Sequence, residues 1–191
     1  KLTKKTRMQP DDIVAVIGAG GGLGLQMIAV AKWAKARVIA VDVRSDKFDA
    51  CRSAGADDVV DASVSDMKEA IAELTNGRGV DVVTDFVASK KTLEDGAFSL
   101  GKGGRLAILG GGGVDNSYPV SGNWIKSGER EIIGSKYATR SEVRESLEIV
   151  ARGELWPIVT ETFPLEEAET LHQRVEDGLV IGRGALLIGD P

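Results

Sequence analysis

The sequence predicts an α/β protein: a doubly wound parallel sheet of six strands in the order 3-2-1-4-5-6, with a small C-terminal α+β lobe. Three observations predict it. Short apolar runs such as Ile13-Val14-Ala15-Val16-Ile17 are continuous rather than alternating, as in strands covered on both faces. Most runs are followed by a stretch with apolar residues at three- and four-residue steps, the helical period. A glycine cluster, Gly18 to Gly24, stands where the first strand would turn into the first crossover helix.

Taken in order, Asp12 to Ile17 reads as the first strand. Gly22 to Lys35 reads as a helix with Leu23, Met27, Val30, Ala31 and Ala34 recurring. Arg37 to Val41 is the second strand, ending at Asp42. Ser45 is the expected N-cap of the next helix, with Asp46 in its first turn, Phe48, Cys51 and Ala54 inward, and Gly55 as its stop. Asp57 to Val60 is the third strand. The helix after it carries Met67, Ala70, Ile71 and Leu74 on one stripe and stops at Asn76-Gly77. Val80 to Val87 is the fourth strand, and Ser89 caps a helix bearing Leu93, Ala97 and Leu100. Arg105 to Leu109 is the fifth strand and Glu131 to Ser135 the sixth, with a short helical piece around Trp124 between them.

After Ser135 the rhythm changes. A helix with Val143, Leu147, Val150 and Ala151 ends at Gly153. An extended stretch from Pro157 to Thr162, a helix from Leu165 to Glu176 and a strand from Gly184 to Ile188 follow. The expected division is therefore residues 1–136 as the sheet domain. Residues 137–191 form a C-terminal segment that belongs to, or packs on, another domain.

Composition narrows the partners. The 191 residues carry a formal net charge of -5, against the basic face that nucleic acid requires. The basic run Lys1, Lys4, Lys5, Arg7 is short and reads as a solvated helix end. The single cysteine, Cys51, allows no internal disulfide. The apolar stretch from Ile13 to Ala34 is interrupted by glycines, Gln26 and Lys32, so it is no membrane span. A soluble cytoplasmic protein is expected.

The most specific signal is Ala19-x-Gly21-x-x-Gly24, placed after a strand and opening a helix. A diphosphate sits well there, against free N–H groups at the positive end of the helix dipole. Gly21 lets the backbone approach the phosphates and Gly24 lets helix pack on strand. Ala19 departs from the usual glycine of this Rossmann fingerprint. Asp42 lies eighteen residues beyond Gly24, at the end of the second strand. A carboxylate there accepts hydrogen bonds from ribose hydroxyls of NAD and repels the extra phosphate of NADP. Gly20 in the loop and Val43, Arg44 and Lys47 in the turn complete this half of the candidate site. The bases Arg44 and Lys47 argue in the opposite direction from Asp42. A second cluster, Gly110 to Gly113, follows the fifth strand and, with Phe86 and Val87, is placed to line the nicotinamide half.

These residues resemble the medium-chain, zinc-dependent alcohol dehydrogenases, closest to a microbial, tetrameric branch with the same glycine loop. The resemblance is carried by Val16 to Gln26, Val41 to Phe48, Ala54-Gly55-Ala56-Asp57, Asn76 to Asp81 and Ile181-Gly182-Arg183-Gly184. It implies that Gly22 and Leu23 touch the pyrophosphate through backbone and that Asp42 and Lys47 hold the adenosine ribose. It also implies that Phe86, Val87, Leu109, Gly110 and Gly111 flank the nicotinamide, that Ser135 sits by its carboxamide, and that Arg183 pairs with the pyrophosphate.

The family's catalytic zinc ligands belong to an N-terminal domain that this sequence is expected to lack. Cys51 reads as a helix core residue and His172 as a surface or interface residue, so no catalytic or metal-binding residue is expected in the chain. The implied function is the NAD(H)-binding part of an enzyme moving hydride between an alcohol and NAD, with zinc only in the full-length protein. The rivals are a zinc-free quinone or enoyl reductase using NADPH, which usually lacks the acid at position 42, and a non-enzymatic nucleotide-binding module. A short-chain dehydrogenase is disfavoured, because Tyr118 and Tyr137 are followed four residues on by Gly122 and Ser141 rather than lysine. The resemblance further implies a homodimer or tetramer through Arg130 to Ser135.

Overall fold

Each apolar run becomes a strand of one parallel sheet. In the computed structural model, which describes residues 1–111 and 116–189, these are β1 (Ile13–Ile17), β2 (Arg37–Asp42), β3 (Asp58–Asp61), β4 (Val80–Asp85), β5 (Leu100–Ile108) and β6 (Glu131–Gly134). Their order is 3-2-1-4-5-6, as the sequence predicts, and every pairing is parallel.

The continuous apolar strands are explained by two separate cores. Val14, Val16, Val38 and Ala40 face one side, under Leu25, Ile28 and Ala31 of α2 (Gly22–Trp33) and Cys51 of α3 (Phe48–Ser53). Ala15, Ile17, Ile39, Val41 and Leu106 face the other. There they meet Met67 and Ile71 of α4 (Met67–Leu74) and Ala97 of α5 (Lys90–Phe98). Alternate residues of one strand thus serve opposite cores. Each fully buried aliphatic side chain contributes about 1.5–3 kcal/mol, so the sheet is the most strongly held part of the molecule. The expected stops hold: Gly55, Asn76, Gly77 and Gly153 all have left-handed backbone.

Several local expectations are corrected. Ser45 does not cap a helix. The Asp42 carboxylate takes the N–H groups of Val43 and Arg44, and this tightens the turn into a 3-10 segment, Ser45–Lys47, before α3 begins at Phe48. Leu100 is not helical. The Ser99 hydroxyl closes the last turn of α5 on the Asp95 carbonyl at 2.7 Å, and Leu100 pairs with Val80 as the first residue of β5. β4 stops at Asp85, leaving Phe86 and Val87 in the following loop. The basic N-terminal run is more than a solvated end. Around α1 (Leu2–Lys5), Lys5 Nζ donates to the Gly134 carbonyl at 2.7 Å, Lys4 pairs with Glu145 at 2.6 Å and Arg7 pairs with Glu131.

Beyond β5, α6 (Gly122–Gly128) lays Trp124 on the second core. α7 (Arg140–Ala151) opens with a Thr139–Glu142 capping box. The tail forms its own βαβ unit: β7 (Glu161–Pro164), α8 (Ala168–Glu176) and β8 (Gly184–Leu187), with the two strands parallel. The extended stretch of the tail is therefore a strand only from Glu161 onward. The Gln26 amide joins this tail to α2, donating to the Ile158 carbonyl at 2.9 Å and accepting its N–H at 3.2 Å.

Candidate functional site

Sheet register brings the candidate loops together. Ile17 is level with Val41 on one side and with Asp85 on the other. Asp85 is level with Ile108, and Ile108 with Gly134. Gly18, Asp42, Phe86, Leu109 and Ser135 therefore leave the sheet along one carboxyl edge, where the strand order reverses about β1 and β4.

The glycine loop is shaped by contacts that side chains would break. Gly18 takes the left-handed conformation, φ 74°, and its N–H donates to the Val41 carbonyl. Ala19 is fully buried and keeps negative φ, so alanine is tolerated where the fingerprint usually has glycine. A Cβ on Gly24 would lie 2.2 Å from the Gly18 carbonyl oxygen, so only glycine lets α2 start this close to β1. No side chain caps the α2 N-terminus at Gly21. Its first N–H groups stay available for an anion.

Arg183 reaches this end of α2 from the tail. A Cβ on Gly22 would be 2.7 Å from Arg183 Nε. The Gly182 N–H donates to the Gly20 carbonyl at 3.1 Å and fixes the approach. Arg183 has no ion pair or side-chain hydrogen bond among the described residues. A free guanidinium beside a bare helix N-terminus has the chemistry to hold an anion from two sides.

Asp42 ties the glycine loop to the turn after β2. Its Oδ2 accepts the Gly20 N–H at 2.8 Å, and its Oδ1 accepts Val43 N–H at 2.8 Å and Arg44 N–H at 3.1 Å. Both neighbouring cations are committed. Lys47 lies buried against Gly20 and donates to the Val180 carbonyl at 3.1 Å. Arg44 is clasped by Asp46, whose carboxyl the guanidinium holds below its usual range.

Past β4, Asp85 is fully buried. Its Oδ1 accepts the N–H groups of Val87 at 2.9 Å and Ala88 at 2.8 Å, while Oδ2 has no hydrogen-bond partner. Burial pushes its pKa up, against the lowering effects of the Ala88 N–H, the Thr92 side chain and the Val87 N–H. The Tyr118 hydroxyl is also buried and unpartnered, its pKa raised by burial and then by Asp85. Gly110 packs on this turn: a Cβ there would be 2.3 Å from the Phe86 carbonyl oxygen. Leu109 and Gly110 donate their N–H groups to the Asp85 carbonyl, and Gly111 has φ 83°. Gly112 and Gly113 lie outside the described residues.

Two adjoining cavities occupy the edge. One, of about 420 Å³, is lined by Gly18, Gly21, Gly22, Leu23, Asp42, Lys47, Phe86, Val87 and Arg183. The other, of about 300 Å³, shares Gly18, Asp42 and Val87 and continues along Ile17, Val41, Val43 and Met67 to Ser89, Lys91 and Asp95. Leu23, Val43 and Val87 are exposed apolar side chains around this continuous cleft. Ser135, buried, donates its N–H to the Ile108 carbonyl and lies outside both cavities, as do Leu109, Gly110 and Gly111. A third cavity, about 330 Å³ between α1, α2 and α7, holds none of the candidate residues.

Sequence reasoning missed Asp85, the Lys91–Asp95 pair and the two backbone contacts from the tail. Asp66 at the α4 N-cap and the Ser89–Thr92 capping box lie near the same edge, and only Ser89 was legible as a cap. Among the described residues, no group of three His, Cys, Asp or Glu side chains is placed to hold a metal ion. No helix among them is long and apolar enough to cross a membrane.

Known proteins match this sequence and this fold. Residues 22–152 match the family described as zinc-binding dehydrogenase. An NAD-dependent alcohol dehydrogenase of Sulfurisphaera tokodaii is 35% identical over 188 residues, covering 98% of this chain and 54% of that protein. A 2-haloacrylate reductase of a Burkholderia species is 30% identical over 195 residues, covering 97% of this chain and 58% of that protein. The crystal structure of the alcohol dehydrogenase of Aeropyrum pernix superposes with a TM-score of 0.82 at 34% identity, covering 96% of this chain and 52% of that one. The chain thus spans about half the length of the relatives it matches.

Proposed function

The chain belongs to the zinc-binding dehydrogenase family, and from that premise we propose that it is the NAD(H)-binding part of an alcohol dehydrogenase. The observation that carries the proposal is the Asp42 carboxylate, set between the glycine loop and the turn after β2 and facing the cleft. A carboxylate has about four acceptor positions. Three are taken by N–H groups, which leaves one, on Oδ2, for a ribose hydroxyl.

The cleft suits the rest of a dinucleotide. The diphosphate belongs over the N-terminus of α2, met by the N–H groups of Gly22 and Leu23 and by Arg183. The adenine belongs in the slot floored by Ile17, Val41 and Met67, with Val43 and Val87 as apolar walls. Phe86, Val87, Leu109, Gly110 and Gly111 are assigned to the nicotinamide side, and Ser135 to its carboxamide. Bound there, NAD supplies the hydride acceptor. The chain's own part is to bind, to orient and to exclude charge: Asp42 disfavours a 2′-phosphate, and the two cations of the turn after β2, Arg44 and Lys47, are committed to Asp46 and to the Val180 carbonyl.

Residues 1–136 are assigned as the dinucleotide domain, and 137–191 as a segment that belongs to or packs on a catalytic domain. Zinc is assigned to no residue of this chain; activation of an alcohol by zinc belongs to the remainder of a relative-sized protein. The short edge strand β6 is proposed to pair with its copy across a two-fold axis; a monomeric mass at high concentration contradicts this. A reductase acting on an activated alkene is the second reading, favoured by the 2-haloacrylate reductase match. Calorimetric titration with NADH and NADPH tests the main reading. NADH is expected to bind more tightly, and equal or reversed preference contradicts the assignment of Asp42.

A further inference from the structure

The turn after β2 holds two cations that read, from sequence, as attractors for a phosphorylated ribose. Their placement reverses that reading. Arg44 Nε donates to Asp46 Oδ1 at 3.0 Å and its Nη2 group to Asp46 Oδ2 at 2.9 Å, a two-pronged pair formed within the turn itself. Lys47 is buried and spends its ammonium on the Val180 carbonyl. The Arg44 backbone N–H is bonded to the Asp42 carboxylate, so the guanidinium springs from the segment that faces the ribose. With Asp42, Arg44, Asp46 and Lys47 together, the local charge sums to zero, and neither cation is free.

We propose that Asp46 is a specificity-determining residue of this cleft: by clasping Arg44 it withholds the one guanidinium of the β2 turn from a ribose 2′-phosphate, and so favours NAD(H) over NADP(H). The proposal rests on the cleft being a dinucleotide site. A guanidinium matches two phosphate oxygens as well as it matches two carboxylate oxygens. Asp46 and a 2′-phosphate are therefore competitors for one fork. Asp46 acts through Arg44 and is a positioning residue that need not touch the ligand. Its attraction for Arg44 also holds its own carboxyl below the usual range, so the pair persists through neutral pH.

The test is the ratio of NADPH to NADH affinity, read from the fluorescence of the reduced nicotinamide. Asp46→Asn is expected to shift that ratio toward NADPH by about tenfold, the worth of one exposed charge-assisted contact. Arg44→Gln alone leaves the ratio near wild type, and the double variant Asp46→Asn with Arg44→Gln loses the shift. A merely structural role for Asp46 would lower both affinities together and leave the ratio unmoved. A ratio within about twofold of wild type in Asp46→Asn, or a shift that survives in the double variant, overturns the proposal. If the unmodified chain binds NADH well and only the ratio fails to respond, the dinucleotide reading stands without this inference. If it binds neither dinucleotide, both fall.

Discussion

Two aspartates end neighbouring parts of the same sheet edge and do similar local work with opposite consequences. Asp42 at the end of β2 and Asp85 at the end of β4 each use Oδ1 to accept two N–H groups of the turn that follows. Asp42 is partly exposed and puts its second oxygen on the Gly20 N–H beside the cleft. Asp85 is fully buried, and no hydrogen bond of normal geometry reaches its second oxygen. Identical chemistry at equivalent strand ends therefore separates into a cleft-facing acid and a turn-holding one. Burial makes the difference. Water and a ligand can share the Asp42 charge, whereas the Asp85 charge is penalised, and its pKa rises for that reason.

The largest expected effect is on stability. Asp85→Ala strands two N–H groups in the β4 turn, each costing about 1–3 kcal/mol, so a loss of about 3 kcal/mol or more is expected by denaturant titration. Asp42→Ala should cost less stability, because its partners lie near solvent. Its larger effect is on NADH binding, weakened by about 1.5–3 kcal/mol, or roughly 10- to 150-fold in calorimetry. If Asp85→Ala hurt binding alone and Asp42→Ala hurt stability alone, the contrast between the two would be wrong.

The smallest effect sharpens the contrast most. Asp85→Asn keeps an acceptor for Val87 and Ala88 and replaces the orphaned oxygen with a donor. Because burial raises the Asp85 pKa, the folded state prefers the protonated acid. Its contribution to stability is present at low pH and is lost as pH rises through the raised value. The asparagine variant has no such titration. Its stability relative to wild type should be most favourable at neutral pH and should shrink as pH falls toward the ordinary aspartate range. A pH-independent difference in denaturation midpoints would show that Asp85 does not titrate as its burial implies.

The sheet was legible because parallel strands covered on both faces must be apolar throughout, as β1 is, and because Gly55, Asn76-Gly77 and Gly153 stop helices by backbone geometry alone. Asp42 was legible from its distance to the glycine loop. Asp85 was not, since nothing local separates an acid that will be buried at a strand end from one that will face solvent. Ser45 misled because Asp42, a residue already singled out for a ligand, also takes the N–H groups that a cap would serve. The commitments of Arg44 and Lys47 depend on side-chain direction and on a tail more than a hundred residues away, which no spacing rule reports. Leu100 has helical spacing from Ala97 and Leu93, yet its backbone is claimed by Val80 in the sheet.

The most direct measurement is a crystal structure of the chain with NADH. The ribose of the adenosine half should lie within hydrogen-bond distance of Asp42 Oδ2, with the diphosphate over Gly22 and Leu23. Adenosine bound anywhere away from that carboxylate would contradict the account.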